Sequence, residues 1–228
     1  MAPQDRPKAI VAWSSGKDSA YALHLVRTAG SHDVVGLLTT VTDAYGRVSM
    51  HGVREDILDL QADRAGLPLT KVRIPSPCPD DIYERAMAEA LGPLRDRGVT
   101  HVIFGDLFLA DIRAWREERL AAVGLEGVFP LWGRPTTGLI RDMIADGIEA
   151  RIVCLDPKHL PRTFAGRGLD RELVAALPPA VDPCGENGEF HTLVTGGPMF
   201  SRNIAVTPGE IVTRDGFVFA DMRLNLNA

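Results

Sequence analysis

The chain has few cysteines, few aromatic residues and no long hydrophobic run. Its 228 residues include three cysteines, Cys78, Cys154 and Cys184, and no CxxC pair. Spacings this wide indicate neither a disulfide framework nor a zinc or iron–sulfur site. We therefore expect a protein of a reducing compartment, the cytoplasm.

Secretion and membrane signals are lacking as well. The apolar run at residues 9–13 is too short for the core of a signal peptide or for a membrane span. The net charge of −5 argues against general binding to nucleic acid, because neutralising phosphates requires a basic surface. Lysine occurs only at positions 8, 17, 71 and 158, and such an arginine bias is typical of a GC-rich bacterial genome.

The composition that remains, 45% hydrophobic and 24% charged residues, is that of a globular protein. Short apolar runs alternate with amphipathic helical patterns, which predicts an α/β fold with a largely parallel sheet. The predicted strands are residues 9–13, 34–40, 69–74, 99–104 and 148–154. The predicted helices are one that ends at Gly30 and those at residues 54–65, 80–97, 112–123 and 137–145.

The pattern changes near residues 130–135, and after Cys154 the chain is richer in proline and glycine and its periodicity is less regular. We therefore predict two domains, residues 1–132 and a smaller mixed α+β lobe at residues 133–228. Near the end, Asp215-Gly216 lies between two β-prone runs, which predicts an antiparallel hairpin.

A small polar loop, Ser14-Ser15-Gly16-Lys17-Asp18-Ser19, joins the first predicted strand to the first helix. Free backbone N–H groups and the positive helix end make such a junction an anion site. The loop is not a Walker A motif, because Asp18 follows the lysine and Val11 stands where the first glycine belongs. A capped helix start is the structural alternative, but it does not explain Gly-Lys-Asp-Ser at a strand end. We expect an exposed loop that binds phosphate.

A triphosphate would need more positive charge than this loop supplies. ATP carries about four negative charges, whereas Lys17 and the helix end return only about 1.5. We therefore expect Mg²⁺, and Asp18 is placed to hold that ion or its waters.

A second polar segment, Cys184-Gly185-Glu186-Asn187-Gly188-Glu189-Phe190-His191-Thr192, follows the change in pattern. Glu186, Glu189 and His191 offer acid, base or ligand groups within one short loop. By itself such a loop is more often a solvated turn. His51, after the second strand, is a further candidate, as a ligand or as an ordinary loop residue. Arg113 and Arg116, one helical turn apart, could hold a substrate carboxylate, although most such arginines are solvated.

Together the two segments resemble a known family. The first resembles the PP-loop, S-G-G-x-D-S, of the N-type ATP pyrophosphatases, with Ser15 in place of a glycine. The second resembles the C-G-E-G-G-E-[YF]-E-[ST] pattern of the diphthine–ammonia ligase family, with Asn187 in place of a glycine and His191 in place of a glutamate. Pro130-Leu131-Trp132 and Gly105-Asp106 also resemble family elements, so the likeness spans nearly the whole chain.

The resemblance implies a Rossmann-like (HUP-type) ATP domain and an EC 6.3-type ligase that adenylates a carboxylate, releases pyrophosphate and forms an amide with ammonia. It implies ATP contacts at Ser14, Ser15, Gly16, Lys17, Asp18, Ser19, Gly105 and Asp106. It implies substrate contacts at Cys184, Gly185, Glu186, Gly188, Glu189, His191 and Thr192. The implied catalytic residues are Lys17, Asp18, Glu186 and Glu189.

Two other functions stay open, a PP-loop enzyme that modifies tRNA and an ATP-binding sensor without chemistry. The family's namesake acceptor is a modified histidine on an elongation factor of archaea and eukaryotes, which a bacterium lacks. The sequence therefore leaves open the carboxylate acceptor, the nitrogen source and the oligomeric state, with a homodimer among the options.

Overall fold

The structure, a computed structural model, describes residues 6–225, and its first part follows the predicted alternation of strands and helices. The strands are β1 (Lys8–Ala12), β2 (Asp33–Thr42), β3 (Arg47–Val48), β4 (Leu69–Ile74), β5 (Val99–Ile103) and β6 (Glu126–Val128). The helices are α1 (Lys17–Ala29), α2 (Glu55–Ala65), α3 (Asp80–Asp96), α4 (Ala110–Ala122) and α5 (Thr136–Ala145). Helix α1 ends at Gly30, whose φ of 61° is the predicted left-handed cap.

Five parallel strands form the first sheet in the order β4-β2-β1-β5-β6, and the short β3 pairs antiparallel with β2. From β1 the chain first adds β2 and β4 on one side of the sheet and then adds β5 and β6 on the other side. The strand order therefore reverses between β1 and β5. In such sheets ligands bind at the carboxyl ends of the strands at this reversal. The Rossmann-like prediction is confirmed, and it places the Ser14–Ser19 loop beside Gly105-Asp106.

The second sheet is antiparallel throughout. It contains β7 (Glu149–Leu155), β8 (Phe190–Gly196), β9 (Val206–Arg214) and β10 (Phe217–Leu224) in the order β8-β7-β10-β9, and a short helix, α6 (Arg171–Ala176), precedes β8. The predicted Asp215-Gly216 hairpin is confirmed, with positive φ at both residues.

Two expectations differ from this arrangement. The predicted strand at residues 148–154 belongs to the antiparallel sheet, where β7 pairs with β8 and β10. The segment Cys184–Thr192, expected to be a loop throughout, becomes strand β8 at Phe190.

The two sheets share a core. One hydrophobic cluster includes Val11 of β1, Leu23 of α1, Ile152 of β7 and Leu193 of β8. A smaller cluster around Ile10 lies under α3 and α4 on the opposite face of the parallel sheet. Because one core continues from sheet to sheet, the division at residues 132 and 133 stays a prediction. Within residues 6–225, no helix has the length and apolarity needed to cross a membrane.

Directly after β5 the chain passes very close to the start of α1. A Cβ atom built on Gly105 would lie 2.6 Å from the Asp18 carbonyl carbon and 2.8 Å from the Ser19 nitrogen. Any side chain here would therefore push the first turn of α1 away from the end of β5. The glycine sets the width of the crevice at the strand reversal.

We expect Gly105→Ala to lower the free energy of unfolding by about 1–3 kcal/mol, because the added methyl overlaps backbone that cannot move freely. Urea denaturation measures this. Gly138→Ala in α5 is the matched control, since no atom lies within 4 Å of its added Cβ, and it should be neutral or stabilising by up to about 1 kcal/mol. Equal stability of both variants would contradict the close approach.

Candidate functional site

The phosphate-binding loop has an unusual backbone at Ser15. The φ angle of Ser15 is 68°, a left-handed conformation that favours glycine. The structure therefore explains why the PP-loop pattern has a glycine at this position. The Ser15 side chain is fully buried, and its Oγ has no hydrogen-bond partner, so the hydroxyl itself does not stabilise this backbone.

Two other serines close the loop from within. Ser14 Oγ lies 3.1 Å from Ser19 Oγ and accepts a hydrogen bond from Gly16 N at 3.3 Å. Ser19 Oγ donates to the Gly16 carbonyl at 3.1 Å. These bonds hold the loop as a compact cradle at the start of α1.

Lys17 is buried, so the expectation that it lies in an exposed loop is wrong, whereas its binding to phosphate stays a prediction. Its side chain is only 2% exposed, and Nζ donates to Asp18 Oδ2 at 2.9 Å and to the Cys184 carbonyl. Burial acts to lower the pKa of Lys17, but its neighbours, Asp18 first, outweigh burial and raise the pKa above its ordinary value. Lys17 thus keeps its charge and ties the loop to the second segment.

Asp18 presents one free oxygen. Its Oδ1 is buried and has no hydrogen-bond partner, and burial raises the pKa of this carboxyl although Lys17 opposes the effect. A buried acceptor without a donor is unfavourable unless a ligand completes it. A bound cation or a donor group would satisfy Oδ1.

Strand β8 lies directly against the phosphate loop. Thr192 Oγ1 accepts a hydrogen bond from Lys17 N at 3.1 Å, and Val194 N donates to the Ser15 carbonyl at 2.9 Å. Thr192 therefore pairs one of the N–H groups that a helix start leaves free. The second segment therefore lies against the phosphate loop and lines the same cavity, and its contact with the acceptor stays a prediction.

Glu186 and Glu189 have different surroundings. Glu186 Oε1 accepts a hydrogen bond from Leu107 N at 2.8 Å, and burial, helped by Asp18 and Asp106, raises the pKa of Glu186 to about 7. Glu189 is 2% exposed and accepts hydrogen bonds from Asp182 N, Asn187 N and Asn187 Nδ2 at 2.9–3.1 Å. Burial acts to raise the pKa of Glu189, but these bonds outweigh it and lower the pKa. This geometry favours a structural role for Glu189 and a reactive one for Glu186.

Cys184 is structural in its contacts. Burial raises the pKa of its thiol to about 12, and Sγ donates weakly to the Thr136 carbonyl at 3.5 Å. A thiol of this kind is a poor nucleophile at neutral pH.

An ion pair closes the opposite wall of the site. Arg116 Nε lies 2.9 Å from Asp106 Oδ2, and the guanidinium stacks 4.6 Å above the centre of the Phe104 ring. Asp106 is therefore paired with a cation, as Asp18 is with Lys17. Arg113, by contrast, pairs with Glu117 and stacks on Phe129 and Trp132.

Two imidazoles meet beside the loop. The rings of His51 and His191 are 4.7 Å apart, and His51 Nδ1 lies 3.0 Å from the Thr192 carbonyl. A carbonyl can only accept, so His51 Nδ1 carries the proton. Burial lowers the pKa of His51 to about 3 and that of His191 to about 4. Both rings are neutral at pH 7, so His191 brings no charge where the family pattern has a glutamate.

These groups line one cavity of about 220 Å³, the phosphate-loop cavity. The site residues predicted from the sequence that line this cavity are Ser14, Lys17, Asp18, Ser19, Gly105, Asp106, Cys184, Gly185, Glu186, His191 and Thr192. Four other predicted site residues, Ser15, Gly16, Gly188 and Glu189, do not line it. A neighbouring cavity of about 310 Å³, the β2 cavity, shares Ser14, His51, Arg116 and His191 with it and extends along Leu38, Thr39 and Thr40. In the same wall, Thr39 Oγ1 is buried without a partner.

One residue of the site escaped sequence reasoning altogether. Gln61 of α2 is completely buried and bonds to Trp13, Ser15 and Val194. It lies on the buried face of α2 with Ile57, Leu58, Ala62 and Ala65. The presence of a glutamine among these apolar residues is the sequence feature that could have identified Gln61 as a site residue.

A parallel sheet with an anion cradle at its strand reversal defines an α/β nucleotide-binding protein of the PP-loop class. The sequence matches the diphthamide synthase N-terminal domain at residues 7–127 and the diphthamide synthase C-terminal domain at residues 136–223. The chain belongs to the diphthamide synthase family.

Its curated relatives are similar over most of this chain. The diphthine–ammonia ligase of Bos taurus is 28% identical over 91% of this chain and 85% of its own length. That of Homo sapiens is 27% identical over the same shares. The enzyme of Schizosaccharomyces pombe is 28% identical over 87% of this chain, but this match covers only 36% of the yeast protein.

The raised pKa of Glu186 predicts a pH-dependent stability. The folded value is about 7 against an ordinary 4.5, so the folded state binds the proton more tightly and stability falls as pH rises between these values. Glu186→Gln removes this loss. As pH rises from 4.5 to 8, the free energy of unfolding of the variant, measured by urea denaturation, should increase relative to that of the parent by about 1–3 kcal/mol, an energy that allows for the partial exposure of Glu186.

Glu189→Gln is the matched control. Because the pKa of Glu189 is lowered, its pH effect falls below pH 4.5, and the offset between this variant and the parent should stay constant from pH 4.5 to 8. A constant offset for Glu186→Gln as well would contradict the raised pKa.

Proposed function

We propose that this chain is an ATP-dependent amide-forming ligase that joins ammonia to a carboxylate of the diphthine type. The observation that carries the proposal is the shared cavity, in which the phosphate loop and the second family segment meet through Lys17. The similarity to diphthine–ammonia ligases over most of the chain supports the same reaction. The three free cysteines agree with the cytoplasm as the compartment in which it acts.

The reaction has two balanced steps. An acceptor carboxylate oxygen attacks the α phosphorus of ATP, the bond to the β phosphate oxygen breaks, and pyrophosphate leaves. The nitrogen of ammonia then attacks the activated carboxyl carbon, AMP leaves, and the nitrogen loses a proton. The triphosphate fits the phosphate-loop cavity, and the adenosine fits the β2 cavity, where Thr39 Oγ1 is free to bond.

Glu186 is suited to take the nitrogen's proton. Its Oε1 is held by Leu107 N, which leaves Oε2 for the substrate. A pKa of about 7 makes a carboxylate an effective general base near neutral pH. Lys17, held between Asp18 and the Cys184 carbonyl, balances the negative charge that gathers at the α phosphate.

Mg²⁺ fits the free oxygen of Asp18. No cluster of three or more histidine, cysteine, aspartate or glutamate ligands occurs within residues 6–225, and Mg²⁺ bound with a nucleotide does not need one. The ion commonly uses one or two carboxylates, water and substrate phosphates. Asp18 Oδ1 would hold it and shield the triphosphate charge.

The acceptor needs its own route into the site. A third cavity of about 400 Å³, the hairpin cavity, lies between the loop after β2 and the β9–β10 hairpin and shares Val48, Ser49 and Met50 with the β2 cavity. Phe217, Phe219 and Val212 give it apolar walls. We propose that the acceptor enters here, because this cavity adjoins the cavity proposed for adenosine.

The reaction itself is tested by its products. With Mg-ATP, ammonium and a diphthine-containing protein, AMP and pyrophosphate should appear in equal amounts. Glu186→Gln should lower turnover about 10²- to 10⁴-fold and leave ATP affinity within about tenfold, whereas Glu189→Gln should mainly lower stability. Production of ADP would show attack at another phosphate, and ATP binding without turnover of any acceptor would favour a sensor.

The acceptor path is tested at an exposed position. Val212 lines the hairpin cavity and is 38% exposed, so Val212→Trp adds bulk without disturbing the core. It should raise KM for the acceptor at least about tenfold and leave ATP affinity unchanged. Ile211→Trp is the control, because Ile211 is 40% exposed but does not line the cavity. Equal effects of both variants would argue against this path.

A further inference from the structure

The buried side chain of Gln61 connects three separate parts of the phosphate site. Its Nε2 donates to the Ser15 carbonyl at 3.2 Å and to the Val194 carbonyl at 2.8 Å, and its Oε1 accepts from Trp13 Nε1 at 3.0 Å. Both carbonyls can only accept and the indole can only donate, so the orientation of the amide is fixed. One side chain thus binds the end of β1, the phosphate loop and strand β8.

The bond to Ser15 lies where the loop needs support. Ser15 has a left-handed backbone that is unfavourable for any residue with a side chain. Its own hydroxyl has no partner and so does not stabilise this conformation. Its carbonyl, in contrast, accepts two hydrogen bonds, from Val194 N at 2.9 Å and from Gln61 Nε2.

We propose that Gln61 is a positioning residue for ATP binding, which holds Ser15 in its left-handed conformation through the Ser15 carbonyl. In doing so it compensates for a serine at a PP-loop position where glycine adopts this backbone freely. The orientation of the following residues, Gly16, Lys17 and Asp18, depends on this peptide. The inference rests on the ATP-binding part of the proposed function.

A double-mutant cycle separates positioning from general stability. Gln61→Met keeps the side-chain length and removes both N–H donors. Ser15→Gly places at position 15 a residue that adopts the left-handed backbone without support from Gln61. Dissociation constants for Mg-ATP are measured by calorimetry on the full chain for the parent, both single variants and the double variant. Urea denaturation of the same four proteins reports their stability.

We expect Gln61→Met to weaken ATP binding at least about tenfold when residue 15 is serine, and less than about threefold when it is glycine. Ser15→Gly alone gives the reference affinity for the glycine background. An equal loss in both backgrounds would overturn the proposal, because a purely structural glutamine would affect both alike. If Gln61→Met does not fold, Gln61→Asn replaces it in the cycle, since it keeps the amide but is one methylene too short.

Trp13→Phe is the matched control. It removes the donor to Gln61 Oε1 together with part of a ring that lines the β2 cavity, and it keeps both bonds from Nε2. It should therefore lower stability and weaken ATP binding less than Gln61→Met does. A loss of affinity as large as that of Gln61→Met would overturn the proposal in favour of general loosening of the core. A parent protein that does not bind ATP would instead contradict the proposed function itself.

Discussion

The site depends on the docking of edge strand β8 against the phosphate loop. Val194 N binds the Ser15 carbonyl, Thr192 Oγ1 binds Lys17 N, and the Lys17 ammonium binds the Cys184 carbonyl. In many nucleotide sites the N–H groups of a helix start face only the ligand. Here one of these N–H groups, that of Lys17, donates instead to Thr192 in the second sheet, 175 residues further along the chain. The phosphate loop and the second family segment are therefore one structural unit.

This docking places charge where it is difficult to solvate. The buried Lys17 pairs with Asp18, which is 27% exposed, and Glu186 lies close enough to both for their charges to affect its pKa. A largely buried pair contributes little stability by itself, and under the proposed function its role is to receive the ligand. Asp18 Oδ1 without a donor and Glu186 with a pKa near 7 are features of a site prepared for cation and proton chemistry.

The two glutamates of the second segment show how one motif serves two purposes. Glu189 uses both oxygens to bind backbone and side-chain N–H groups of its own turn, and this turn directs Glu186 toward Leu107 and the cavity. His51 and His191 add a neutral wall on the other side of Lys17, since burial keeps both imidazoles unprotonated. A carboxylate in place of His191 would alter the charge balance around Lys17.

The sequence by itself determined the α/β class, the parallel strands up to residue 104, the terminal hairpin and both signature segments, because hydrophobic period, turn residues and motif spacing are local properties. Only the tertiary structure decided that residues 148–154 enter an antiparallel sheet, that Lys17 is buried and that Gln61 supports Ser15. These outcomes depend on contacts between residues far apart in the chain, such as Lys17 with Cys184 and Ser15 with Val194. Roles for Glu186 and Glu189 could be separated only in this way, since identical side chains acquire different chemistry from burial and from the hydrogen-bond donors around them.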